Sequence, residues 1–360
     1  MNDEGYMKLA IENARAMKGQ TAPNPMVGAV IVKNGRIVGI GSHLKPGEPH
    51  AEIHALRMAG DEASESTIYV TLEPCSHVGK TGPCAEALIK AGVKKVVIAS
   101  LDPNPLVAGR GVTMLREAGI EVVTGVLEQE SWEMNEVFNH FIVHNRPFVT
   151  LKAAMTLDGK TATHTMHSQW ITGEKAREDV HVLRSEHQAI LVGVQTIIED
   201  DAELTARIPN GRNPIRMILD STLRIGMSAK VLCDGKAPTW VFTTNASSPE
   251  KRTALEALGV KVFVVGSHEG KVKLTDVLQT LGEHAISSVF IEAGGTLNAS
   301  FLTQQLVNQV IVYVAPKLIG GKEAPTFFEG LGMASMTNAI PLRKMTASVV
   351  GEDVKIIASF

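Results

Sequence analysis

Two patterns of hydrophobic residues alternate along this chain, and no other feature limits its fold as strongly. Short apolar runs rich in Val and Ile, typical of buried strands, are followed by segments whose apolar residues recur every three or four positions, typical of helices. Strands separated by helices of roughly ten residues predict parallel βαβ units with helices on both faces of a sheet. We therefore expect an α/β fold.

The first half combines a hairpin with this alternation. A helix is predicted within residues 1–17, and strands at 26–32 and 36–41 flank Asn34-Gly35, a dipeptide that favours a two-residue hairpin turn. Beyond the hairpin, the pattern predicts helices at 50–59, 84–91, 111–118 and 128–143, and strands at 67–72, 95–99 and 121–123.

The last of these helices must end near Asn145-Arg146-Pro147, because a residue before proline is disfavoured in a helix. A chain of 360 residues has the length of about two domains of roughly 150 residues, so we expect domains at 1–146 and 147–360. The second alternation predicts strands at 148–154, 189–192, 215–219, 240–243, 260–265, 288–292 and 309–314, and helices at 174–184, 249–258, 274–281 and 297–304.

The charge balance and the cysteine count reduce the range of possible functions. The 35 basic and 38 acidic residues leave a formal net charge of −3, so no broad surface for a nucleic-acid backbone is expected and a small ligand fits better. No apolar run approaches the roughly 18 to 20 residues of a membrane helix, and the charged N-terminal residues do not resemble a secretory signal. We expect a cytoplasmic protein without membrane partners, whose three cysteines indicate metal binding or isolated thiols.

His50, Cys75 and Cys84 are the candidate metal ligands. Thiolate and imidazole are ligands that zinc prefers, and His50 and Cys84 each stand at the start of a predicted helix. The positive end of a helix dipole favours thiolate over thiol. Three protein ligands leave the fourth position to water, whose pKa zinc lowers to about 7, so that a nucleophile is available at neutral pH.

Glu52 is the candidate proton carrier of this site. A nucleophile derived from water needs a group that accepts its proton and passes it to the leaving nitrogen. His50 and Glu52 diverge on an ideal helix, but the cap residue need not be helical, so both side chains can reach one pocket. The alternative is a closed structural zinc site with His77 as fourth ligand and Glu52 as an ordinary first-turn carboxylate.

His-x-Glu followed by Pro-Cys and a second Cys is the signature of zinc nucleoside and nucleobase deaminases, in which Glu is not a ligand. Here the cysteines stand nine positions apart, with a glycine-containing insert between them. Within the insert, His77 and Lys80 supply donors that suit a substrate phosphate. A solvated loop lysine is the alternative for Lys80.

Five segments carry a resemblance to a known family: Pro23-Asn24-Pro25-Met26-Val27-Gly28, His50-Ala51-Glu52, Glu73-Pro74-Cys75-Ser76-His77, Gly79-Lys80-Thr81-Gly82-Pro83-Cys84 and Asp102-Pro103-Asn104-Pro105. Together they resemble the bacterial bifunctional deaminase–reductases of riboflavin biosynthesis, and the resemblance covers the whole chain in the same domain order. It implies a cytidine-deaminase-like three-layer αβα domain that acts on 2,5-diamino-6-ribosylamino-4(3H)-pyrimidinone 5′-phosphate. By this match one zinc ion would be bound by His50, Cys75 and Cys84, Glu52 would move the proton, and the substrate pocket would be lined by Asn24, His43, His77, Lys80, Asp102 and Asn104.

Without the family resemblance, the sequence of the second half indicates a function less specifically than the sequence of the first half does. No Gly-x-Gly-x-x-Gly follows a predicted strand, which argues against a Rossmann dinucleotide site. The stretch Ile291–Thr296 predicts a strand, a Gly-Gly turn and a helix, whose N-terminal amides can bind a cofactor phosphate. The alternative is that the Gly-Gly dipeptide serves only to form the turn.

The family's second domain resembles dihydrofolate reductase in its α/β fold and uses NADPH to reduce the ribosyl group to ribityl. The matching stretches include 151–160, 168–171, 193–196, 204–207 and 315–317. By this match the cofactor would contact Ala154, Trp170, Thr196, Asp200, Ser221, Gly294, Gly295 and Thr296. The substrate would be held by Ser168, Arg184, Leu204, Arg207 and Glu292.

Several of these roles have alternatives. Arg184 and Arg207 are the phosphate candidates, since an Arg fork binds phosphate through two hydrogen bonds, but both fit ordinary surface charge as well. Core packing is the alternative for Trp170. Gln195 and Ala202 depart from the family, which commonly has glycine and proline at these positions, and both lie in the region implied to bind the cofactor.

Addition of hydride at ribose C1′ also needs a proton donor for the ring oxygen or an imine nitrogen. Asp200, Lys152 and Glu292 compete for this role, and the sequence does not choose among them.

The leading hypothesis is a bifunctional enzyme, forming a homodimer or homotetramer, that deaminates a phosphorylated pyrimidine and then reduces it with NADPH. One alternative is a monofunctional zinc deaminase for a nucleoside or a tRNA base, with a C-terminal half that serves dimerisation. The other is a zinc-stabilised ligand-binding protein without activity.

Overall fold

The computed structural model describes residues 1–76, 82–104 and 108–360, which form two compact units, Met1–Asn145 and Arg146–Phe360. Each unit has its own sheet with helices on both faces. No helix within the described ranges is both long and apolar enough to cross a membrane.

The first unit opens with helix α1 (Asp3–Arg15), which begins where the Asn2 side chain accepts a hydrogen bond from the Gly5 amide. The predicted hairpin follows, with strands β1 (Gly28–Lys33) and β2 (Arg36–Ser42). Asn34 and Gly35 both have positive φ, 50° and 76°, as the two-residue turn requires.

The remaining elements of this unit confirm the predicted alternation: α2 (Ala51–Ala59), β3 (Thr67–Leu72), α3 (Cys84–Ala91), β4 (Lys95–Ser100), α4 (Arg110–Glu117) and β5 (Glu121–Thr124). The sheet order is β2-β1-β3-β4-β5, in which β3, β4 and β5 are parallel and β1 is antiparallel to both of its neighbours, β2 and β3. Along β3, Ile68 and Val70 pack against α2, α3 and α4, whereas Tyr69 packs against α1. Apolar residues on both faces of a strand produce the expected three-layer αβα arrangement.

The single helix predicted at 128–143 is wrong. The structure has two helices, α5 (Glu128–Met134) and α6 (Glu136–His144), separated at Asn135. The Asn135 side chain accepts a hydrogen bond from the Met26 amide (2.8 Å) and donates one to the Met26 carbonyl (2.9 Å). These bonds to a distant segment favour a break that helical periodicity alone does not indicate.

The second unit contains a nine-stranded sheet of order β10-β9-β8-β7-β13-β6-β14-β16-β15. Its strands are β6 (Phe148–Thr156), β7 (Ala189–Gly193), β8 (Ile215–Leu219), β9 (Thr239–Thr243), β10 (Lys261–Val264), β13 (Ser288–Ile291), β14 (Gln309–Ala315), β15 (Lys344–Val350) and β16 (Asp353–Ser359). The strands β11 (Ser267–His268) and β12 (Lys271–Val272) form a separate small hairpin. All pairs from β10 to β14 are parallel, as predicted, whereas β14-β16 and β16-β15 are antiparallel.

The helices of this unit are α7 (Glu174–Glu186), α8 (Val194–Asp200), α9 (Lys230–Cys233), α10 (Pro249–Ala257), α11 (Leu274–Glu283) and α12 (Gly295–Thr303). The parallel strands β8, β7, β13 and β6 are neighbours, so their carboxyl ends meet at one edge of the sheet. In an open α/β sheet this edge is where ligands bind.

Candidate zinc and reductase sites

The three predicted zinc ligands come together in the first unit. His50 is the cap residue before α2, with extended backbone angles (φ −72°, ψ 167°), Cys75 follows β3, and Cys84 is the first residue of α3. His50 Nδ1 lies 3.5 Å from Cys75 Sγ and 3.3 Å from Cys84 Sγ, and all three ligand atoms lie within 4.8 Å of one another. Two sulfurs and one imidazole nitrogen at this spacing fit zinc and, within the described ranges, leave a fourth coordination position open.

Glu52 lies in the first turn of α2 and is almost completely buried. Its Oε2 atom has no hydrogen-bond partner among the described residues. Burial raises the pKa of Glu52 to about 7. Hydrogen bonds from Cys84 and His50 lower the pKa of Cys75 to about 4, which favours the thiolate that a metal ligand requires.

Two of the predicted pocket residues lie beside the metal ligands. The Asn24 side-chain nitrogen is 3.1 Å from His43 Nε2, and the His43 ring meets the His50 ring edge-on with centroids 5.4 Å apart. The hydrogen bonds between Asn135 and Met26 hold the segment that carries Asn24. Asn135 was missed by sequence reasoning, because a helical asparagine carries no signal of such a contact.

Asp102 and Asn104 form a turn after β4. Asp102 Oδ1 accepts a hydrogen bond from the Asn104 amide (2.8 Å). Because Leu72 pairs with Ser100 in the parallel sheet, this turn leaves the same sheet edge as the segment that leads to Cys75. His77 and Lys80 lie outside the described residues, so the fourth-ligand alternative for His77 stays a prediction.

Lys152, Arg184 and Glu292 form a buried charged cluster in the second unit. Arg184 Nε and Nη2 donate to the two Glu292 oxygens at 2.5 and 3.1 Å, and Lys152 Nζ lies 3.4 Å from Glu292 Oε2. The side chains of Arg184 and Glu292 are only 13% and 12% exposed, so the surface-charge alternative for Arg184 is wrong. Although burial raises the pKa of Glu292, the charges of Arg184 and Lys152 bring it down to about 2, so this carboxylate is ionised at neutral pH.

The loop that carries Leu204 and Arg207 is tied to this cluster. Arg184 Nη1 donates to the Thr205 carbonyl (3.0 Å), and the buried Leu204 has a positive φ of 54°. Arg207 is exposed, which leaves its guanidinium accessible to an anion. Sequence reasoning missed His181, which lies one helical turn before Arg184 and has a buried Nδ1 atom without a partner among the described residues.

The predicted cofactor residues lie along the carboxyl edge of the second sheet. Thr196 and Asp200 are on α8 after β7, Ser221 follows β8, and Ala154 is near the end of β6. Gly294 caps α12 after β13 with no side-chain cap, and a Cβ atom there would meet open space. A helix start without a side-chain cap and beside open space fits a cofactor phosphate.

Three of these positions have further contacts. Ser221 Oγ accepts a hydrogen bond from the Val272 amide (3.0 Å), and the Thr296 hydroxyl donates to Glu329 (3.0 Å). A Cβ atom at Gly295 would lie 2.3 Å from the Thr326 carbonyl oxygen, so only glycine fits this close approach. Burial and the neighbouring Glu199 charge raise the pKa of Asp200.

Trp170 is 63% exposed, so the core-packing alternative is wrong. The Arg177 guanidinium lies over its ring, 4.7 Å from the ring centroid, and Lys317 Nζ donates to the carbonyls of Trp170 (2.9 Å) and Ile171 (2.7 Å). Ser168 is exposed on the same segment. The indole is therefore held as an exposed flat surface, which suits stacking on a ring of a ligand.

Two known families match separate parts of the chain. Residues 1–100 match the cytidine and deoxycytidylate deaminase zinc-binding region, and residues 147–356 match the RibD C-terminal domain. Fold and site together define a zinc-dependent deaminase joined to a reductase in one chain.

Full-length relatives identify the family. The chain is 50% identical to the riboflavin biosynthesis protein RibD of Bacillus amyloliquefaciens, over 99% of this chain and 96% of that protein, and 41% identical to RibD of Escherichia coli, over 98% of each. Acinetobacter baumannii RibD has a similar structure (TM-score 0.90, 40% identity, 99% and 98% of the two chains covered). So does a diaminohydroxyphosphoribosylaminopyrimidine deaminase/5-amino-6-(5-phosphoribosylamino)uracil reductase of Thermotoga maritima (TM-score 0.87, 36% identity, 99% and 98% covered). The chain belongs to the RibD family of bifunctional riboflavin-biosynthesis enzymes, whose cofactors are zinc and NADPH.

Proposed function

We propose that residues 1–146 deaminate 2,5-diamino-6-ribosylamino-4(3H)-pyrimidinone 5′-phosphate and that residues 147–360 reduce the ribosyl group of the product, giving 5-amino-6-ribitylamino-uracil 5′-phosphate. The observation that supports the deaminase activity most directly is the group of His50, Cys75 and Cys84 beside the buried Glu52. The alternatives of a monofunctional deaminase and of an inactive binding protein are not favoured, because the second unit has a buried charged cluster of its own.

In the first unit, each residue has a distinct task. His50, Cys75 and Cys84 would hold the zinc ion, which would act as a Lewis acid and lower the pKa of the water that attacks the ring carbon. Glu52 takes the proton from that water and returns it to the leaving amino group, since its unpartnered Oε2 is available for hydrogen bonding. Asn24, His43, Asp102 and Asn104 hold the pyrimidine, and His77 and Lys80 remain candidates for the phosphate.

In the second unit, substrate and cofactor meet at the carboxyl edge of the sheet. NADPH would supply the hydride for ribose C1′ when bound. Glu292 orients Arg184 and Lys152 through the bonds described above. An ionised Glu292 cannot donate a proton at neutral pH, which leaves Lys152 and Asp200 as donors. Each of the three guanidinium nitrogens of Arg184 already donates a hydrogen bond within the protein, whereas Arg207 is exposed, so Arg207 is the better phosphate candidate.

The remaining substrate and cofactor contacts are proposed at the predicted positions. Ser168 and Leu204 complete the substrate pocket. NADPH contacts come from Ala154, Trp170, Thr196, Asp200, Ser221 and the Gly294-Gly295-Thr296 turn, whose uncapped amides bind a phosphate.

The substitution Glu52→Gln tests both halves at once. We expect deamination to fall by about 10²- to 10⁴-fold, the usual contribution of a general acid–base group, while reduction of the already deaminated intermediate continues. Ammonia release and NADPH oxidation are measured separately, with zinc content as control. Loss of both activities in a variant that retains zinc would contradict two independent sites.

We also propose a cytoplasmic homo-oligomer, a dimer or tetramer, that binds no nucleic acid. Support comes from β15, an edge strand whose side chains are nearly all exposed, including Met345 (66%) and Val349 (76%). An exposed apolar edge strand is a template for pairing with another chain. Sedimentation of a variant carrying Met345→Lys and Val349→Lys should show a smaller species, and an unchanged mass would exclude this strand as the interface.

A further inference from the structure

A buried carboxylate stands two residues before the zinc ligand Cys75 and has no role in the mechanism above. Glu73 directly follows β3 and is 5% exposed. Its carboxylate accepts hydrogen bonds from four backbone N–H groups, all in the segment between Asp102 and Val112. Oε2 accepts from Asp102 (3.3 Å) and Gly109 (2.9 Å), and Oε1 accepts from Gly111 (2.9 Å) and Val112 (3.3 Å).

These four donors join two local structures. Asp102 begins the turn to Asn104, and Gly109 to Val112 form the start of α4. The cap residue of α4 is Gly109, which has no side chain to accept from the first amides of the helix. Glu73 supplies this cap from the segment directly after β3, and a carboxylate is favoured at the positive end of a helix.

An independent observation ties the same segments together. A Cβ atom at Gly111 would lie 2.1 Å from the carbonyl oxygen of Pro74 and 3.2 Å from Glu73 Oε1. The Glu73 amide also donates to the Ser100 carbonyl (3.0 Å). The start of α4 therefore packs directly on the backbone that leads to Cys75.

We propose that Glu73 is a positioning residue of the deaminase, which fixes the Asp102–Asn104 turn against the strand end that carries Cys75 and so determines the affinity for the pyrimidine ribotide. The inference rests on the proposed roles of Asp102 and Asn104 in substrate binding. Glu73 acts through the backbone of this segment. Its loss changes substrate binding and leaves zinc binding and the reductase site intact.

The substitution Glu73→Gln keeps the shape of the side chain but turns one acceptor oxygen into a donor that faces N–H groups. We expect the KM for deamination of the ribotide to rise by about tenfold or more, the effect of losing one or two buried hydrogen bonds. The kcat, the zinc content and NADPH oxidation with the deaminated intermediate should stay near the wild-type values. Glu62→Gln is the matched control, because Glu62 is an exposed carboxylate paired with Arg36 at 3.6 Å.

Three results would overturn the proposal: a fall in kcat with unchanged KM, loss of zinc, or lower thermal stability with both kinetic constants unchanged. If Glu73→Gln does not fold, Gly111→Ala tests the same contact, since it keeps the carboxylate but pushes α4 away from Pro74. The same rise in KM is expected.

Amide hydrogen exchange tests the contact without substrate. The peptide that contains Gly109, Gly111 and Val112 should exchange faster in Glu73→Gln than in the wild type, and equal exchange rates would refute the role of Glu73. Failure of the wild-type enzyme to deaminate this ribotide would instead refute the proposed function.

Discussion

At the scale of single residues, Glu292 organises the reductase site. It is the carboxylate partner of both Arg184 and Lys152 and lies at the end of β13, beside the Gly294 turn that caps α12. Two cations buried together without an anion would repel each other and lose hydration. Glu292 therefore allows Lys152 and Arg184 to lie close together in one buried cluster, where we propose that the phosphorylated sugar binds.

We expect Glu292→Gln to lower kcat/KM for NADPH-dependent reduction by about 10²-fold or more, because Arg184 and Lys152 lose the charge that orients them. Removing one partner of a buried ion pair also costs about 3–5 kcal/mol of the free energy of unfolding. Steady-state kinetics and denaturant titration measure the two effects. The exposed Glu283→Gln is the control, and a variant with wild-type reduction would show that the cluster is dispensable.

His181 gives the second unit a defined pH dependence. Burial and the positive charges of Arg184 and Arg207 lower its pKa to about 4, below the ordinary value of 6.5. The unfolded chain therefore binds a proton as the pH falls from 6.5 to 4, while the folded protein does not. The contribution of His181 to the free energy of unfolding is fully present above pH 6.5 and declines as the pH falls from 6.5 to 4.

Thermal unfolding of wild type and His181→Gln between pH 7 and pH 4 measures this contribution. The variant should lose less stability on acidification than the wild type. The exposed His268→Gln serves as control. Identical pH profiles for wild type and His181→Gln would show that the ring is protonated equally in both states.

At the scale of elements, the deaminase depends on how closely α2 lies on β2. A Cβ atom at Gly41 would be 2.1 Å from the Ala51 carbonyl oxygen, and one at Gly39 would be 2.3 Å from that of Ala55. Only glycine permits this approach. Because His50 and Glu52 occupy the start of α2, the two glycines determine where both side chains lie.

Gly41→Ala should therefore push the start of α2 outward. We expect a loss of about 1–3 kcal/mol in the stability of the first unit, as for other overpacked sites, together with weaker zinc binding and slower deamination. Reduction by the second unit should persist. Gly226→Ala is the control, since a Cβ atom there meets no atom within 4 Å. Unchanged zinc affinity in Gly41→Ala would mean that α2 tolerates the shift.

The sequence predicted most elements because their periodicity is strong. It missed α8, α9, the small β11–β12 hairpin and the β15–β16 pair. The side chains of β15 are exposed on both faces, so no alternation of apolar residues marks the strand. Helix α8 follows β7 without an intervening loop, which merges the two patterns.

Some site residues could be predicted from the sequence and others could not. His50, Cys75, Cys84 and Glu52 stand in a recognisable motif, because metal chemistry demands particular side chains. Glu73, by contrast, acts on backbone amides. Any sequence can supply such donors, so this contact is visible only once the fold brings the segments together.

At the scale of the whole molecule, zinc belongs to the deaminase domain and NADPH to the reductase domain. Ligands that bind only the folded state stabilise it by RT ln(1 + [L]/Kd), about 2.7 kcal/mol at a concentration one hundred times the Kd. Because each unit has its own hydrophobic core, we expect zinc and NADPH to stabilise different parts of the chain.

Calorimetry of the full chain with and without a zinc chelator, and with and without NADPH, tests this expectation. Chelation should lower one unfolding transition and abolish ammonia release, while NADPH should raise the other and leave deamination unaffected. Glu52→Gln, which keeps the three zinc ligands, should respond to the chelator as the wild type does. A single transition that shifts with both ligands would show that the two units unfold together and that the stability of one depends on the other.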